Sequence, residues 1–419
     1  MNILPFEVQI IIENFRPLMR HEVFETFYLL MTGILIGEAK HGTVRSSVFA
    51  RANYQPARIS DFFRIHRLSA QEIMAKIAEE IIRKLYRREL PRRMFWIADT
   101  TLSEKVYAKK IASVGIFHRT KLITGRNRSL KGHCYVFAAH LYGSYQNGVQ
   151  RWTSFLCGAL LYVKGRTIPQ LVGQLAHHLR LPAGVRHVWI VDRGICSRVL
   201  IRLLKPAGQF LLGRVRKNQV VYFAPRRQPR RGRKRLYGQK SRVDHLLKRF
   251  PERLRGQKMS LEIRGKQREV RVYDAEVFLS RVEKARPFPV RVIIIVVPSL
   301  KKLKPWYLIT TDMELDPIDA VHAYDGRHQI EVNFDEAKEL GLEYYQGRSG
   351  TGVRRWPLLI SLAQMLLQLI AIDTIKLDLP ILNWSWYRRE NTVGQVRRRL
   401  IEFCRPRISR TLGSEGTAR

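Results

Sequence analysis

Short apolar runs and stretches of helical periodicity alternate along the middle of the chain. The apolar runs have the length of buried strands, and they are Met94–Ala98, Val136–Tyr142, Phe155–Val163, His187–Val191 and Gln209–Val215. Helical spacing marks Ile168–Leu179 and Ile195–Leu204, which lie between the later runs. Strands that alternate with helices predict an α/β fold in which both faces of a sheet are covered.

Both ends of the chain are predicted to be helical. Ser69 and Glu72 form a capping box, and the apolar residues Ile73, Ile77, Ile81 and Leu85 follow it at helical spacing. Upstream, Ser46–Ala52 and Ala57–Ile65 form either a helix-turn-helix that reads DNA or part of a plain helical bundle with basic decoration. Near the other end, Trp356–Ile372 is predicted to be an apolar helix, and Tyr387–Arg410 a basic tail that contains a helix.

A second group of strand-like segments precedes the apolar C-terminal helix. These segments are Val220–Phe223, Ser260–Ile263, Glu269–Tyr273, Val290–Val297 and Tyr307–Thr311. Among them, Arg226–Arg235 reads RRQPRRGRKR, which is too charged to pack and is predicted to be a loop. The cations of this loop are called the basic arm below: Arg226, Arg227, Arg230, Arg231, Arg233, Lys234 and Arg235.

The net charge indicates the kind of partner. The 419 residues include 75 Lys and Arg against 35 Asp and Glu, a formal net charge of +40, while 45% are hydrophobic, as in a globular protein. A charge of this size repels itself unless a polyanion is near, so nucleic acid is the favoured partner, with an anionic membrane surface as the weaker alternative.

Membrane insertion, secretion and structural metal binding are not expected. Phe27–Ile36 is too short to cross a bilayer, and polar residues interrupt Pro357–Ile372. The N-terminus lacks a basic region and a cleavage site. Four scattered cysteines without a CxxC motif suit a reducing cytosol, so we expect a cytoplasmic, nucleoid-associated protein.

The candidate chemistry begins with two aspartates. Asp99 follows the strand Met94–Ala98, and Asp192 follows the strand His187–Val191. Ligand sites of open α/β sheets collect at such strand ends, although Asp is also a common turn residue.

A third acidic residue lies on a predicted helix between Tyr324 and Lys338. On a helical wheel, Tyr324, Arg327, Glu331 and Lys338 fall within about 60° of one another. Beside them runs an apolar seam that can anchor the helix, formed by Ala323, Ile330, Phe334 and Ala337. The alternative interpretation of the polar stripe is a solvated face with weak ion pairs.

Three converging carboxylates need cations between them, and hard divalent ions with oxygen ligands are the usual solution. Asp99, Asp192 and Glu331 are therefore candidate ligands of two Mg²⁺ ions, with Mn²⁺ as a substitute, which would activate a water or a 3′-hydroxyl on a phosphodiester. Arg327 and Lys338 would grip the flanking phosphates. Tyr324 would bind phosphate or stack on a base.

These residues resemble a known family. The order Asp99, Asp192, Glu331 with a long insertion before the glutamate looks like that of the DDE transposases of bacterial insertion sequences, and the Tyr-x2-Arg-x3-Glu-x6-Lys pattern of one large group is matched in full. The resemblance covers roughly residues 95–355. It implies an α/β, ribonuclease-H-like mixed sheet core with a β-rich insertion, three metal-binding acidic residues, and a Tyr, Arg and Lys that contact DNA near the cleaved strand.

On this basis we divide the chain into five segments. They are a helical DNA-binding domain at 1–90, the first part of the catalytic core at 91–215, the basic insertion at 216–315, the second part of the core at 316–372, and a basic helical tail at 373–419. Asp335 and Glu336 lie near Glu331 and could be mistaken for the third ligand; on the helical wheel Glu336 points away and Asp335 is marginal. Trp306 either stacks on a base or packs in the core, and core packing is favoured.

The predicted function is a Mg²⁺-dependent DNA transposase that cleaves element ends and joins the 3′-hydroxyl to target DNA. Its partners would be double-stranded terminal inverted repeats and target DNA, bound by a homodimer. The alternatives are a nuclease without strand transfer and a DNA-binding repressor that has kept the fold without catalysis. Three clustered carboxylates argue against the repressor, because a non-catalytic binder gains nothing obvious from them.

Overall fold

The computed structural model describes residues 3–37, 56–65, 68–105, 111–118, 129–146, 149–225, 234–263, 266–283, 286–300, 303–345, 347–380 and 392–413. The N-terminal helices in this part of the chain are α1 (Phe6–Glu13), α2 (His21–Ile36), α3 (Pro56–Arg64) and α4 (Ala70–Leu85). At the start of α4 the Ser69 hydroxyl accepts a hydrogen bond from the Glu72 N–H, which is the N-cap bond of the predicted capping box. Of the predicted helix-turn-helix, the second helix corresponds to α3, whereas Ser46–Ala52 lies outside the described residues.

A mixed sheet of twelve strands follows, which confirms the predicted α/β class. The strands are β1 (Arg93–Glu104), β2 (Gly115–His118), β3 (Ser129–Gln146), β4 (Val149–Leu161), β5 (Arg186–Val191), β6 (Phe210–Arg214), β7 (Val220–Tyr222), β8 (Lys240–Arg242), β9 (Arg255–Ile263), β10 (Lys266–Leu279), β11 (Phe288–Val296) and β12 (Trp306–Thr310). Helices α5 (Ile168–His178) and α6 (Arg198–Leu204) alternate with strands as predicted.

The centre of the sheet has the order β4, β3, β1, β5, β6. Strands β1, β5 and β6 are parallel to one another, and β3 is antiparallel to both β1 and β4. The buried runs of β1 and β5 pair from Arg93 with Arg186 to Ala98 with Val191. Since parallel strands present their carboxyl ends at the same edge, the residues that follow Ala98 and Val191 lie side by side.

The strands between residues 216 and 315 extend the same sheet. Strand β12 pairs antiparallel with β6, and β11, β10, β7 and β8 continue outward from it. Strand β9 pairs with the same edge of β10 as β7, the edge that faces away from β11. The short turn Leu246–Arg249, labelled α7, lies in this region. The basic arm falls mostly at residues 226–233, outside the described residues; its last two cations, Lys234 and Arg235, are exposed.

The C-terminal part is helical. It contains α8 (Pro317–Asp325), a 3-10 turn at Gly326–His328, α9 (Gln329–Glu339), α10 (Gly350–Ala371) and α11 (Val393–Gly413). Helix α10 is buried along most of its length and packs on β4, α4, α2 and α11. Among the described residues, none of the helices combines the length and apolar character needed to traverse a bilayer.

Strands β3, β4, β9 and β10 begin earlier than predicted, and two predicted boundaries at the acidic residues were wrong. Strand β1 does not end at Asp99 but continues to Glu104, because β3 keeps pairing with it, Asp99 opposite Phe137 and Glu104 opposite Gly132. The segment from Tyr324 to Lys338 is not one α-helix, since the 3-10 turn separates α8 from α9.

Several arginines bind backbone carbonyls inside the protein. Arg397 on α11 donates to the carbonyl oxygens of Ile34 at 3.1 Å, Leu35 at 3.3 Å and Gly37 at 2.7 Å, at the end of α2. A cation at a helix C-terminus also stabilises the helix dipole. Arg355 on α10 is buried and donates to the Phe62 carbonyl of α3. Part of the positive charge therefore holds helices together.

A buried ion pair connects the end of β12 to the starts of β1 and β5. The Asp312 carboxylate is fully buried and lies 2.8 Å from Nε of Arg93 and 2.6 Å from Nη2 of Arg186. Burial alone would raise the pKa of Asp312, but the hydrogen bonds from the two arginines outweigh it and lower the pKa. This ion pair lies at the N-terminal ends of β1 and β5, whereas Asp99 and Asp192 lie toward the other ends of the paired segments.

We predict that Asp312→Asn lowers the free energy of unfolding by about 3 kcal/mol, because it leaves two partly buried guanidinium groups without their counter-charge. Urea unfolding followed by tryptophan fluorescence measures this. Glu314→Gln is the matched control: Glu314 pairs with Arg186 at 2.9 Å but is exposed, so its loss should cost less than about 1 kcal/mol. Equal effects of the two substitutions would contradict the prediction.

Candidate active site

Asp99 and Asp192 occupy equivalent places on neighbouring parallel strands. Each is the first residue after the last paired position, Ala98 with Val191. Asp99 accepts a hydrogen bond from the Thr100 N–H on Oδ1 at 2.8 Å. Asp192 accepts on Oδ1 from the N–H groups of Gly194 at 2.8 Å and Ile195 at 3.0 Å. The turn after β5 thus fixes the Asp192 carboxylate at the edge of the sheet.

The helical segment with the third acidic residue lies against the same part of the sheet. Its predicted apolar seam is confirmed: Ala323, Ile330, Phe334 and Ala337 are buried. The Phe334 ring packs on Phe137 of β3, with ring centroids 5.6 Å apart. Because Phe137 is the cross-strand partner of Asp99, burial of this seam brings α9 next to Asp99.

Arg327 lies between two of the acidic side chains. Its Nη1 is 2.7 Å from Oδ2 of Asp99, and its Nη2 is 3.1 Å from Oε1 of Glu331. The Asp99 and Arg327 side chains are both more than four-fifths buried, whereas the Glu331 side chain is 60% exposed. One guanidinium group therefore bridges a buried aspartate and a glutamate that faces solvent.

The pKa of Asp99 reflects this crowding. Burial is the main cause that raises its pKa to about 6, Arg327 opposes the increase, and the nearby charges of Asp192 and Glu331 add to it. For Arg327, burial favours the neutral form, but Asp99, Tyr324 and Glu331 outweigh it and raise the pKa. The charges of Asp192 and Glu331 thus both raise the pKa of Asp99, as expected for neighbouring acidic groups.

The chemistry of these donors suits a hard divalent ion, since carboxylate oxygens are the ligands that Mg²⁺ takes. Their present arrangement does not form a metal site. Among the residues that the structure describes, no group of three or more His, Cys, Asp or Glu side chains is placed to hold a metal ion. The guanidinium group of Arg327, rather than a metal ion, contacts Asp99 and Glu331.

A buried polar network sets the position of α9. Asn333 donates to the Ser154 hydroxyl of β4 at 2.7 Å and accepts from Gln364 of α10 at 3.1 Å. Gln364 also donates to Glu336 at 3.0 Å and accepts from the Leu156 N–H at 3.1 Å. Glu336 therefore faces away from the acidic cluster, as its helical angle predicts, and burial raises its pKa to about 7. These bonds hold α9 against β4 and α10.

Gly326 allows the 3-10 turn to approach β4 closely. A Cβ atom at this position would lie 2.7 Å from Cγ of Trp152. The Trp152 ring in turn packs edge-on against Phe95 of β1, with centroids 6.2 Å apart. The turn that carries Arg327 is thus seated on the face of a tryptophan.

Arg214 belongs to the same surface and was missed by sequence reasoning. It ends β6, one residue after Gly213, which pairs with Val191, so it stands next to Asp192 in the row that begins with Asp99. Its charge and that of Arg327 oppose the increase in the pKa of Tyr324 that burial causes. Its guanidinium carbon lies 6.0 Å from the Trp306 ring. Its position near the end of the predicted strand Gln209–Val215 could have indicated that it lies beside the two aspartates.

The remaining predicted residues have the following places. Tyr324, in the last turn of α8, is half-buried close to Arg327. Lys338 is half-buried in the last turn of α9, and Asp335 is exposed on the same helix. Trp306 begins β12 and is half-buried against the core. Of the basic arm, Arg226, Arg227, Arg230, Arg231 and Arg233 lie outside the described residues.

Comparison with protein families connects this surface to a known class. Residues 164–366, just under half of the chain, match the family model described as transposase DDE domain. The match includes Asp192, Arg327 and Glu331 but begins after Asp99. A comparison with curated proteins found no match to the chain. The family match supports a DDE transposase.

We predict that Gly326→Ala destabilises the protein by about 1–3 kcal/mol, because the new methyl group overlaps Trp152. The double variant Gly326→Ala with Trp152→Ala should lose less than the sum of the two single changes. Urea unfolding of the four proteins measures this coupling. In the control Gly394→Ala, the nearest atom is 3.7 Å from the added Cβ, and stability should not fall; additive effects at Gly326 and Trp152 would refute the close contact.

Proposed function

We propose that the protein is a DNA transposase that cleaves the ends of a mobile element and joins the freed 3′-hydroxyl to target DNA. Two observations support this proposal within a chain whose residues 164–366 match a transposase domain: Asp99 and Asp192 follow paired positions on neighbouring strands, and Arg327 bridges Asp99 to Glu331. The strand order β4, β3, β1, β5, β6, with β3 alone antiparallel to β1, is consistent with a ribonuclease-H-like core and supports the same class.

In this proposal Asp99, Asp192 and Glu331 hold the catalytic Mg²⁺ ions once Arg327 has left its bridging position. Bound divalent ions would supply activation of the attacking oxygen and stabilisation of the leaving oxygen. The chain's own contribution is rigidity. Asp192 is fixed by two backbone N–H groups, and Glu331 is carried by a helix whose other face is bound to β4 and α10.

The cations beside the acidic cluster would bind the DNA backbone. The charges of Arg327 and Arg214 both act on Tyr324, so a phosphate placed near this phenol would meet two guanidinium groups and a hydroxyl donor. Lys338 would reach a phosphate further along the strand, and the basic arm would add affinity that does not depend on sequence. Double-stranded DNA with paired ends favours a homodimer as the active form.

We predict that Asp99→Ala, Asp192→Ala and Glu331→Ala each reduce cleavage by at least about 1000-fold, because each removes a group held at the reacting phosphate. The assay incubates the protein with Mg²⁺ and duplexes that carry candidate terminal inverted repeats, and it scores cleaved and joined products separately. DNA binding, measured by fluorescence anisotropy, should survive in all three variants.

Asp335→Ala is the matched control on α9, and it should cleave normally. Full cleavage by any of the three cluster variants would refute the assigned triad. Cleavage without joined products would favour a nuclease, and binding without cleavage by the unmodified protein would favour a repressor. These outcomes separate the three readings of the fold.

A salt titration tests the DNA contacts. Lys338→Ala should weaken binding and lower the slope of log Kd against log salt by about one, since one phosphate contact is lost. Replacing the first five arginines of the basic arm (Arg226, Arg227, Arg230, Arg231 and Arg233) with Gln should lower the slope by up to about four. Lys205→Ala is the control, because Lys205 is already paired with Glu283. An unchanged slope for Lys338→Ala would place that side chain on a solvated face.

A further inference from the structure

The position of Arg327 conflicts with metal binding by the same carboxylates. Asp99 uses Oδ1 for the Thr100 N–H and Oδ2 for Arg327. A divalent ion on Oδ2 would lie beside the guanidinium group, and two cations at that separation repel each other in a partly buried place. The ion and Arg327 in its bridging position are therefore alternatives.

We propose that Arg327 is a latch that keeps the acidic cluster closed to metal until DNA is bound. This inference rests on the proposed function, because it takes the metal ligands and the DNA phosphates from it. In the closed state the single positive charge of Arg327 is shared between Asp99 and Glu331. When a DNA phosphate arrives, the guanidinium group transfers its hydrogen bonds to the phosphate oxygens and leaves the carboxylates to the metal.

The two bonds of Arg327, to Asp99 and to Glu331, differ in how strongly they are exposed to solvent. The bond to Glu331 joins Arg327 to a side chain that is 60% exposed, and exposed pairs of this kind are weak and easily exchanged. The bond to Asp99, at 2.7 Å between buried groups, is the stronger anchor. Phosphate competes well for it, since its oxygens accept two parallel N–H bonds from one guanidinium group.

The fold also gives Arg327 a place from which it can move. The residue lies in the 3-10 turn Gly326–His328 between two helices, so its side chain is not part of a continuous α-helical face. The apolar seam and the network around Asn333 hold α9 independently of the Arg327 bonds. Release of the guanidinium group therefore need not displace the helix that carries Glu331.

A latch of this kind couples two ligands. If DNA removes Arg327 from the carboxylates, DNA raises the affinity for metal, and by linkage metal raises the affinity for DNA by the same factor. The free protein would hold metal weakly, so hydrolysis of unrelated phosphodiesters in solution would be suppressed. Substitution of Arg327 should uncouple the two events.

Mn²⁺ binding to the full chain, followed by electron paramagnetic resonance of the free ion, tests the latch without any measurement of activity. Without DNA, Arg327→Gln should bind Mn²⁺ at least about tenfold more tightly than the unmodified protein. Arg327→Lys, which keeps the charge but replaces two separate Nη donors with one ammonium group, should fall between them. Arg354→Gln, an exposed arginine on α10, should bind as the unmodified protein does.

Adding a short duplex should raise the Mn²⁺ affinity of the unmodified protein toward that of Arg327→Gln, and should change the variant little. The Mn²⁺ bound by the Asp192→Asn variant with the same duplex measures the ions held by the DNA alone, and this amount is subtracted. Unchanged Mn²⁺ affinity in both Arg327 variants, combined with loss of binding on Asp192→Asn, would overturn the latch and leave the metal site of the proposed function intact. No Asp192-dependent binding in any protein, with or without duplex, would overturn both.

Discussion

Carboxylates brought close together repel each other unless a positive charge lies between them, and the guanidinium group of Arg327 supplies that charge for Asp99 and Glu331. Its two bonds join Asp99 on a central strand to Glu331 on a helix 232 positions later. Two features of the fold bring these side chains together. The parallel register of β1 and β5 aligns the aspartates, and the insertion returns through β12 to deliver the helical segment to the same edge.

The basic residues of this chain have two distinct physical uses. Some are internal anchors: Arg397 caps α2, Arg355 holds α3, and Arg93 with Arg186 neutralises Asp312. Others face solvent or the acidic edge, where they add to a field that attracts polyanions. The net charge of +40 is therefore an upper limit for what DNA can use. Arg327, which pairs with Asp99 and Glu331, belongs to both groups.

Local patterns predicted most elements because burial leaves a periodic trace. The strands β5 and β6 and the helix α5 lie within one residue of their predicted bounds. Errors arose where distant pairing decides. Strand β1 continues past Asp99 because β3 supplies hydrogen-bond partners. The turn at Gly326 interrupts a helical pattern because Trp152 of β4 packs on its backbone.

By itself the sequence determined the residue types and their spacing: two acidic residues after buried strands, a third on a helix with an apolar seam, and a large excess of cations. Periodicity and charge are local properties, so they can be recognised from the amino-acid sequence without a structure. Only the tertiary structure decided that Arg327 lies between Asp99 and Glu331, that Arg214 stands beside Asp192, and that Glu336 turns toward Gln364. Those contacts join segments far apart in the chain, and packing of the sheet against its helices alone sets such distances.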